Sequence, residues 1–294
     1  MSLPSSIDYT KILPIAAGNP RAMRRTFLPM NGQSFTAAGN NIVRIEISAD
    51  QFWDPLHSYL RFNVTTGAQT SGVDFGGGHG FIRRLRLEQA GNVIMDCNRY
   101  DRLLSAILLP SQSGADSQAH RSLTEMQTYG NAVAAAGLNA PAAAAVVTGG
   151  YLAPITSSVT QIAAAATTNY CIPLVGGLFS QEKLVPLQLL SSSPLTIEIE
   201  LAPANDYTMQ DIRYIASLVD VSPDVDAQVR MVQEMSGGHI VLNSTDYTHF
   251  NGNITANATG MQAINVPARR KSMKSIFFVG ASQTGLNNTN YRQS

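Results

Sequence analysis

The sequence predicts an all-β protein built from antiparallel sheets, and three observations carry that prediction. The stretch LTIEIEL places Leu195, Ile197, Ile199 and Leu201 on one side of an extended chain and Thr196, Glu198 and Glu200 on the other. One apolar face and one wet face is the habit of antiparallel sheets rather than of parallel sheets covered on both sides. Similar runs recur, joined by turn residues, through the first hundred positions. Charged residues make up only 14% of the chain, against roughly 25% in soluble domains. A surface so poor in charge is expected to be covered by neighbouring subunits.

The elements follow in chain order. Residues 1–26 read as an N-terminal arm, because Pro4, Pro14 and Pro20 lack the amide hydrogen that a sheet ladder needs. Ile7, Tyr9, Ile12, Leu13 and Ile15 give the arm apolar grips for a neighbour, and Arg21, Arg24 and Arg25 stand where it would enter the barrel. IVRIEIS then alternates Val43, Ile45 and Ile47 with Arg44 and Glu46. YLRFNVT sets Leu60, Phe62 and Val64 against Arg61 and Asn63. FIRRLRLEQ follows the cluster Gly76 to Gly78 and sets Leu85 and Leu87 opposite Arg84, Arg86 and Glu88, and Gly91-Asn92 turns the chain into VIMD.

A helix is predicted in NRYDRLLSAILL, where Tyr100, Leu103, Leu104, Ile107 and Leu108 recur at threes and fours until Pro110. Residues 111–169 are rich in Ala, Gly, Ser and Thr, with little periodicity. They read as a long insert that takes its packing from a neighbouring subunit. Strands resume near 170–174, 183–190 and 195–201, which makes seven or eight in all and is enough for a jelly-roll sandwich across 27–207. From 208 to 294 the chain reads as a second start: DIRYIASLVDVS as a strand, DVDAQVRMVQEM as a helix with Val225, Val229 and Val232 on one side, then three more strand candidates.

No chemistry stands out. The five histidines, His57, His79, His120, His239 and His249, lack metal-ligand spacing. Glu198 and Glu200 project from one strand face roughly 7 Å apart, near glycosidase spacing, but a solvated outer face is the expectation for them. GVDFGGGHGF lacks the Gly-Lys-Ser/Thr ending of a phosphate loop and reads as a flexible bend. Cys97 and Cys171 cannot make a disulfide framework and read as buried apolar residues. The N-terminus lacks the pattern of a signal peptide, no run is apolar enough to span a bilayer, and five N-x-S/T sequons reflect composition. The basic clusters PRAMRR, FIRRLR and ARRK read first as solvated faces and turns, and second as attractors for a polyanion. No catalytic, cofactor-binding or metal-ligating residue is assigned, and no cofactor is expected.

One resemblance covers most of the chain. The strand-rich first half, YDRLLSAILL, a long variable insert, IPLVGGLFSQEKLVPLQLL and LTIEIELA follow one another in an order that resembles the major capsid proteins of double-jelly-roll viruses. These are tailless icosahedral DNA viruses: polinton-like viruses, virophages and their relatives. Ile172, Pro173 and Leu174, then Pro186 and Leu187, match the family's paired I-P-L and P-L runs, Leu195 to Leu201 supply its closing strand, and VPARRKSMKSIFFVG resembles the strand region of the second barrel. The resemblance implies a double jelly roll with the second barrel incomplete in this chain, because the residues after Tyr207 are too few for a full roll. Either the chain is a fragment or a single roll carries an appendage.

The function so implied is that of a structural capsid protein, not an enzyme. It would form a homotrimer, a pseudo-hexameric capsomer that tiles an icosahedral shell beside neighbouring capsomers and minor or penton proteins. It would be made in the host cytoplasm and located in the virion. Arg21, Arg24 and Arg25 could then face genome or internal membrane, and no small-molecule substrate is expected. The alternative is a carbohydrate- or receptor-binding β-sandwich, such as a viral spike or lectin-like domain. A sandwich-fold glycoside hydrolase using Glu198 and Glu200 is a third reading.

Overall fold

The structure is a computed structural model and describes residues 21–67, 71–73, 77–108, 160–162, 165, 167–190, 193–203, 207–221, 223–238 and parts of 242–278. Twelve strands are present among the described residues: β1 (Arg21–Phe27), β2 (Ser34–Thr36), β3 (Ile42–Ile47), β4 (Phe52–Thr66), β5 (Ser71–Val73), β6 (Ile82–Gln89), β7 (Asn92–Asn98), β8 (Thr160–Ile162), β9 (Thr167–Ile172), β10 (Val185–Pro186), β11 (Leu195–Leu201) and β12 (Tyr207–Asp220). A single α-turn, α1 (Tyr100–Arg102), continues as a π-helical stretch over Leu103–Leu108, and α2 (Pro223–Met235) follows β12.

Taking β1 with β2 and β9 with β10 as split strands, and setting aside the small β5–β8 ribbon, leaves eight positions along the chain. The first pairs with the eighth, the second with the seventh, the third with the sixth and the fourth with the fifth, all antiparallel. That nesting is a long hairpin rolled over on itself. Two further pairings, β12 with β4 and β11 with β6, join the nested pairs side by side. The outcome is a six-stranded sheet ordered β1-β12-β4-β10, with β2 and β9 attached, and a four-stranded sheet ordered β3-β11-β6-β7. This is the connectivity of a single jelly roll.

The inward residues of both sheets form one core. Val43, Ile45, Leu60, Phe62, Leu85, Leu87, Ile197 and Ile199, the positions marked by period-two alternation, are all buried in it. Aromatic rings fill the space between the sheets: Trp53 meets Phe179 edge-on at 5.8 Å between centroids, and Phe62 stacks on Tyr170 at 5.4 Å. Gly78 lies against this layer rather than in a flexible bend. A Cβ there would fall 2.8 Å from Ile172 Cγ2, so only glycine admits the approach.

Several sequence expectations shift. The stretch that looked like a second start is β12, which runs between β1 and β4 in the larger sheet, so 208–220 belong to the first roll and a boundary at 207/208 would cut a strand. The arm likewise ends earlier than expected. Arg21 to Arg25 lie in β1, because the prolines stop at Pro20 and the next, Pro29, comes after eight residues free to donate. The strand expected at 183–190 is reduced to Val185–Pro186 and followed by a 3-10 turn over Leu187–Leu190, since Pro186 cannot extend the ladder. The helical periodicity at 100–108 yields only one α-turn before the chain widens to π geometry. After Met235 no strand occurs among the described residues, and one bridge ties Thr245 to Gly177. Most of the insert at 111–169 lies outside the described residues. Its last residues form β8 and begin β9.

Candidate functional site

The two outer sheet faces differ in their electrostatics. On the smaller sheet, β11 brings Glu198 between Arg44 of β3 and Arg86 of β6, because those residues stand directly opposite it in the two ladders. Arg44 Nε donates to Glu198 Oε2 at 2.9 Å, and Arg86 Nη1 lies 3.6 Å from Oε1. Arg84 grips Asp96 with two hydrogen bonds of 2.6 and 2.7 Å, Arg86 also meets Glu88 at 2.8 Å, and Arg83 approaches Glu200 at 3.5 Å. The guanidinium of Arg84 holds the Asp96 carboxyl below its usual range, the hydrogen bond being the larger cause.

This lattice corrects the expectation of a wet face at Glu198, whose side chain is only 11% exposed between the Arg44 and Arg86 guanidinium groups. It also answers the glycosidase reading. Both glutamates lie against guanidinium groups on a ladder face rather than in an apolar pocket, which does not match the paired acid and base that reading needs. The FIRRLR cluster is neutralised within its own sheet and offers little to a polyanion.

The larger sheet presents a different edge. Arg21, Arg24 and Arg25 lie exposed on β1, with the Arg24 guanidinium 5.6 Å from the Tyr59 ring centroid and that of Arg25 5.3 Å from Phe27. Arg269, Arg270 and Lys271 of the third basic cluster lie outside the described residues, as do His120 and His239. His57 pairs with Asp54 at 2.7 Å, and His79 is buried against Tyr100. Partial burial lowers the His249 imidazole below its ordinary range, with Arg99 adding to the effect. Among the described residues no cluster of three or more His, Cys, Asp or Glu could hold a metal ion, and no helix is long and apolar enough to cross a membrane.

Sequence reasoning missed two polar fasteners. Between Asp54 and Tyr59, β4 bulges away from β12, and Pro55 within the strand was the available signal. Ser58 Oγ closes this bulge: it accepts from Trp53 Nε1 at 3.0 Å and from the Ser217 amide at 2.9 Å, and donates to the Asp54 carbonyl at 2.6 Å. The Tyr100 hydroxyl accepts the Val175 amide at 3.0 Å, tying the helical turn to the segment after β9.

Apolar side chains outside the core form a further surface. On α2, Val225, Met231, Val232 and Met235 are 37%, 61%, 58% and 80% exposed, whereas the half-buried Asp226 accepts a hydrogen bond from Gln188 at 2.8 Å. Val225, Val232 and Met235 therefore point away from the roll, not into it as a helix stripe usually does. Ile276, Phe277 and Phe278 are likewise uncovered.

No protein-family model matches the chain, and no curated protein matches it. Among solved structures, it is similar to VP54 of PBCV-1 fitted into a reconstruction of the virophage Sputnik, at 13% identity and a TM-score of 0.40 over 76% of this chain and 48% of that one. A quasi-atomic model of the PBCV-1 virus capsid matches at 13% and 0.39, over 76% and 48%. The Faustovirus major capsid protein matches at 11% and 0.42, over 77% of this chain and 60% of that chain. The chain thus spans about half to three fifths of the length of these structures.

Proposed function

We propose that this chain is a structural capsid protein whose copies associate through apolar surfaces to build a virus shell. The observation that carries the reading is the uncovered apolar surface on α2 and at Ile276 to Phe278, which stays exposed although the described residues of the roll already form one hydrophobic core. Exposed apolar area of that kind marks an interface. The sparse charge of the chain and the self-neutralised lattice on the smaller sheet fit a molecule made to be surrounded by neighbours. The order of the I-P-L and P-L runs points the same way.

In this reading three copies form a pseudo-hexameric capsomer, which tiles an icosahedral shell with minor and penton proteins and is located in the virion. Arg21, Arg24 and Arg25 on β1 are the basic groups offered to an anionic inner partner, genome or membrane. Synthesis in the host cytoplasm fits a chain with two cysteines, too few for a disulfide framework. Light scattering on the purified protein at micromolar concentration should give a trimer mass or larger particles. Met231→Asp with Val232→Asp should leave the circular dichroism unchanged and abolish association. A wild-type protein that stays monomeric under these conditions would reject the reading.

A further inference from the structure

Where β12 passes β4 a second time the ladder is irregular. Gln210 pairs with Asn63 and Arg213 with Arg61, so Asp211 and Ile212 together oppose Phe62. Asp211 has φ of 51°, in the left-handed region that a non-glycine residue occupies only at a cost. The other edge of β12 is interrupted at the same place. Phe27 pairs with Tyr214 and Ser34 with Gln210, while the chain between them crosses to the smaller sheet, where the Met30 amide donates to the Arg44 carbonyl at 2.8 Å.

The crossing leaves a half-open pocket of about 550 Å³ beside the bulge, a volume within the range of small-molecule sites. Leu28, Pro29 and Ile212 are among its apolar lining residues, and Gln33, Gln210, Asp211 and Arg213 are among its polar ones. Arg213 reaches Asp211 through Nε at 2.8 Å and Nη2 at 2.6 Å, both on Oδ1. Oδ2 remains as an acceptor beside the remaining guanidinium donors, and with side chains 32% and 43% exposed both groups are within reach of a ligand. An acceptor and a donor held next to each other match two adjacent hydroxyls, each able to give and take a hydrogen bond. Because the carboxylate and the guanidinium cancel, the site favours a neutral ligand over an anion.

We infer that this pocket binds a neutral carbohydrate, with Asp211 and Arg213 holding adjacent hydroxyls and Leu28 and Pro29 packing against the C–H face of the ring. The inference does not rest on the capsid reading, since shell assembly by α2 and sugar binding at the bulge use different surfaces and can fail separately. The test is saturation-transfer NMR on the full chain with the methyl glycosides of glucose, galactose, mannose and N-acetylglucosamine. At least one should saturate with a millimolar Kd. Asp211→Gly keeps the backbone, because glycine takes this φ freely, and should weaken binding about tenfold by removing a charged acceptor. Arg213→Ala should do the same. No saturable signal from any of the four sugars, or equal binding by wild type and both variants, would overturn the assignment.

Discussion

Ile197 and Glu198 are adjacent in β11 and face opposite ways, yet both are buried, the first in the core and the second between Arg44 and Arg86. Ile197→Asp should cost about 4 kcal/mol or more, because an unpaired charge enters an apolar interior. Glu198→Gln should cost about 1 kcal/mol, since it weakens hydrogen bonds to arginines that stay partly solvated. Urea unfolding of both variants checks the order, and a reversed ranking would mean the register is wrong. Asp96 and Asp101 make a second pair with opposite signs. The hydrogen bond from Arg84 lowers the Asp96 carboxyl, so its stabilisation is present above the ordinary carboxylate range and disappears as pH falls through the lowered value. Burial raises the Asp101 carboxyl despite Arg99 nearby, so its contribution is present in acid and is lost as pH rises through the raised value. At pH 7 Asp96→Asn should therefore lower Tm and Asp101→Asn should raise it. The Asp101 difference should vanish toward about pH 3, where an ordinary carboxylate is mostly protonated, whereas the Asp96 difference should be lost only as pH falls on through its lowered value.

Among the elements, the β6–β7 hairpin was placed correctly from its glycine, but its two turn residues are Ala90 and Gly91 rather than Gly91 and Asn92, because Gln89 pairs with Asn92. Both turn residues have positive φ, 48° and 78°. Glycine accepts this freely and alanine does not. Ala90→Asn restores the residue type that such turns prefer and should stabilise the protein by about 0.5–1 kcal/mol, read as a rise in Tm with the same denaturant slope. No change, or a loss, would mean that the turn relaxes in solution. For α2 the sequence showed the helix and its Val225–Val229–Val232 stripe. Which side of that stripe meets the roll depended on Gln188, a residue 38 positions away from Asp226 in the chain.

At the scale of the whole molecule, β1 defines where truncation becomes harmful. Deleting residues 2–19 stops short of β1 and should leave Tm and circular dichroism unchanged, while impairing assembly into closed particles if the arm grips a neighbour. Deleting residues 2–26 removes nearly all of β1, exposes one edge of β12 from Ile215 to Asp220, and should lower Tm by several degrees and promote aggregation through the bare edge. Equal stability of the two truncations would show that β1 adds nothing to the sheet. Normal particle yield from the shorter deletion would show that the arm is dispensable.

The strands and their buried faces were legible in the sequence because a period of two is a local property: Val43, Leu60, Leu85 and Ile197 declare their side of the sheet without reference to any partner. The absence of a recognisable reaction motif was legible for the same reason, since most motifs are short and contiguous. Tertiary structure decided everything that depends on which strand lies beside which. It drew β12 back into the first roll, set two arginines against Glu198, closed the β4 bulge with Ser58 and opened a pocket beside Asp211. Each of these joins residues far apart in the chain. Alternation states which face a side chain takes but not which strand lies next to it, so pairing and bulge position are settled only when both sheets close over one core.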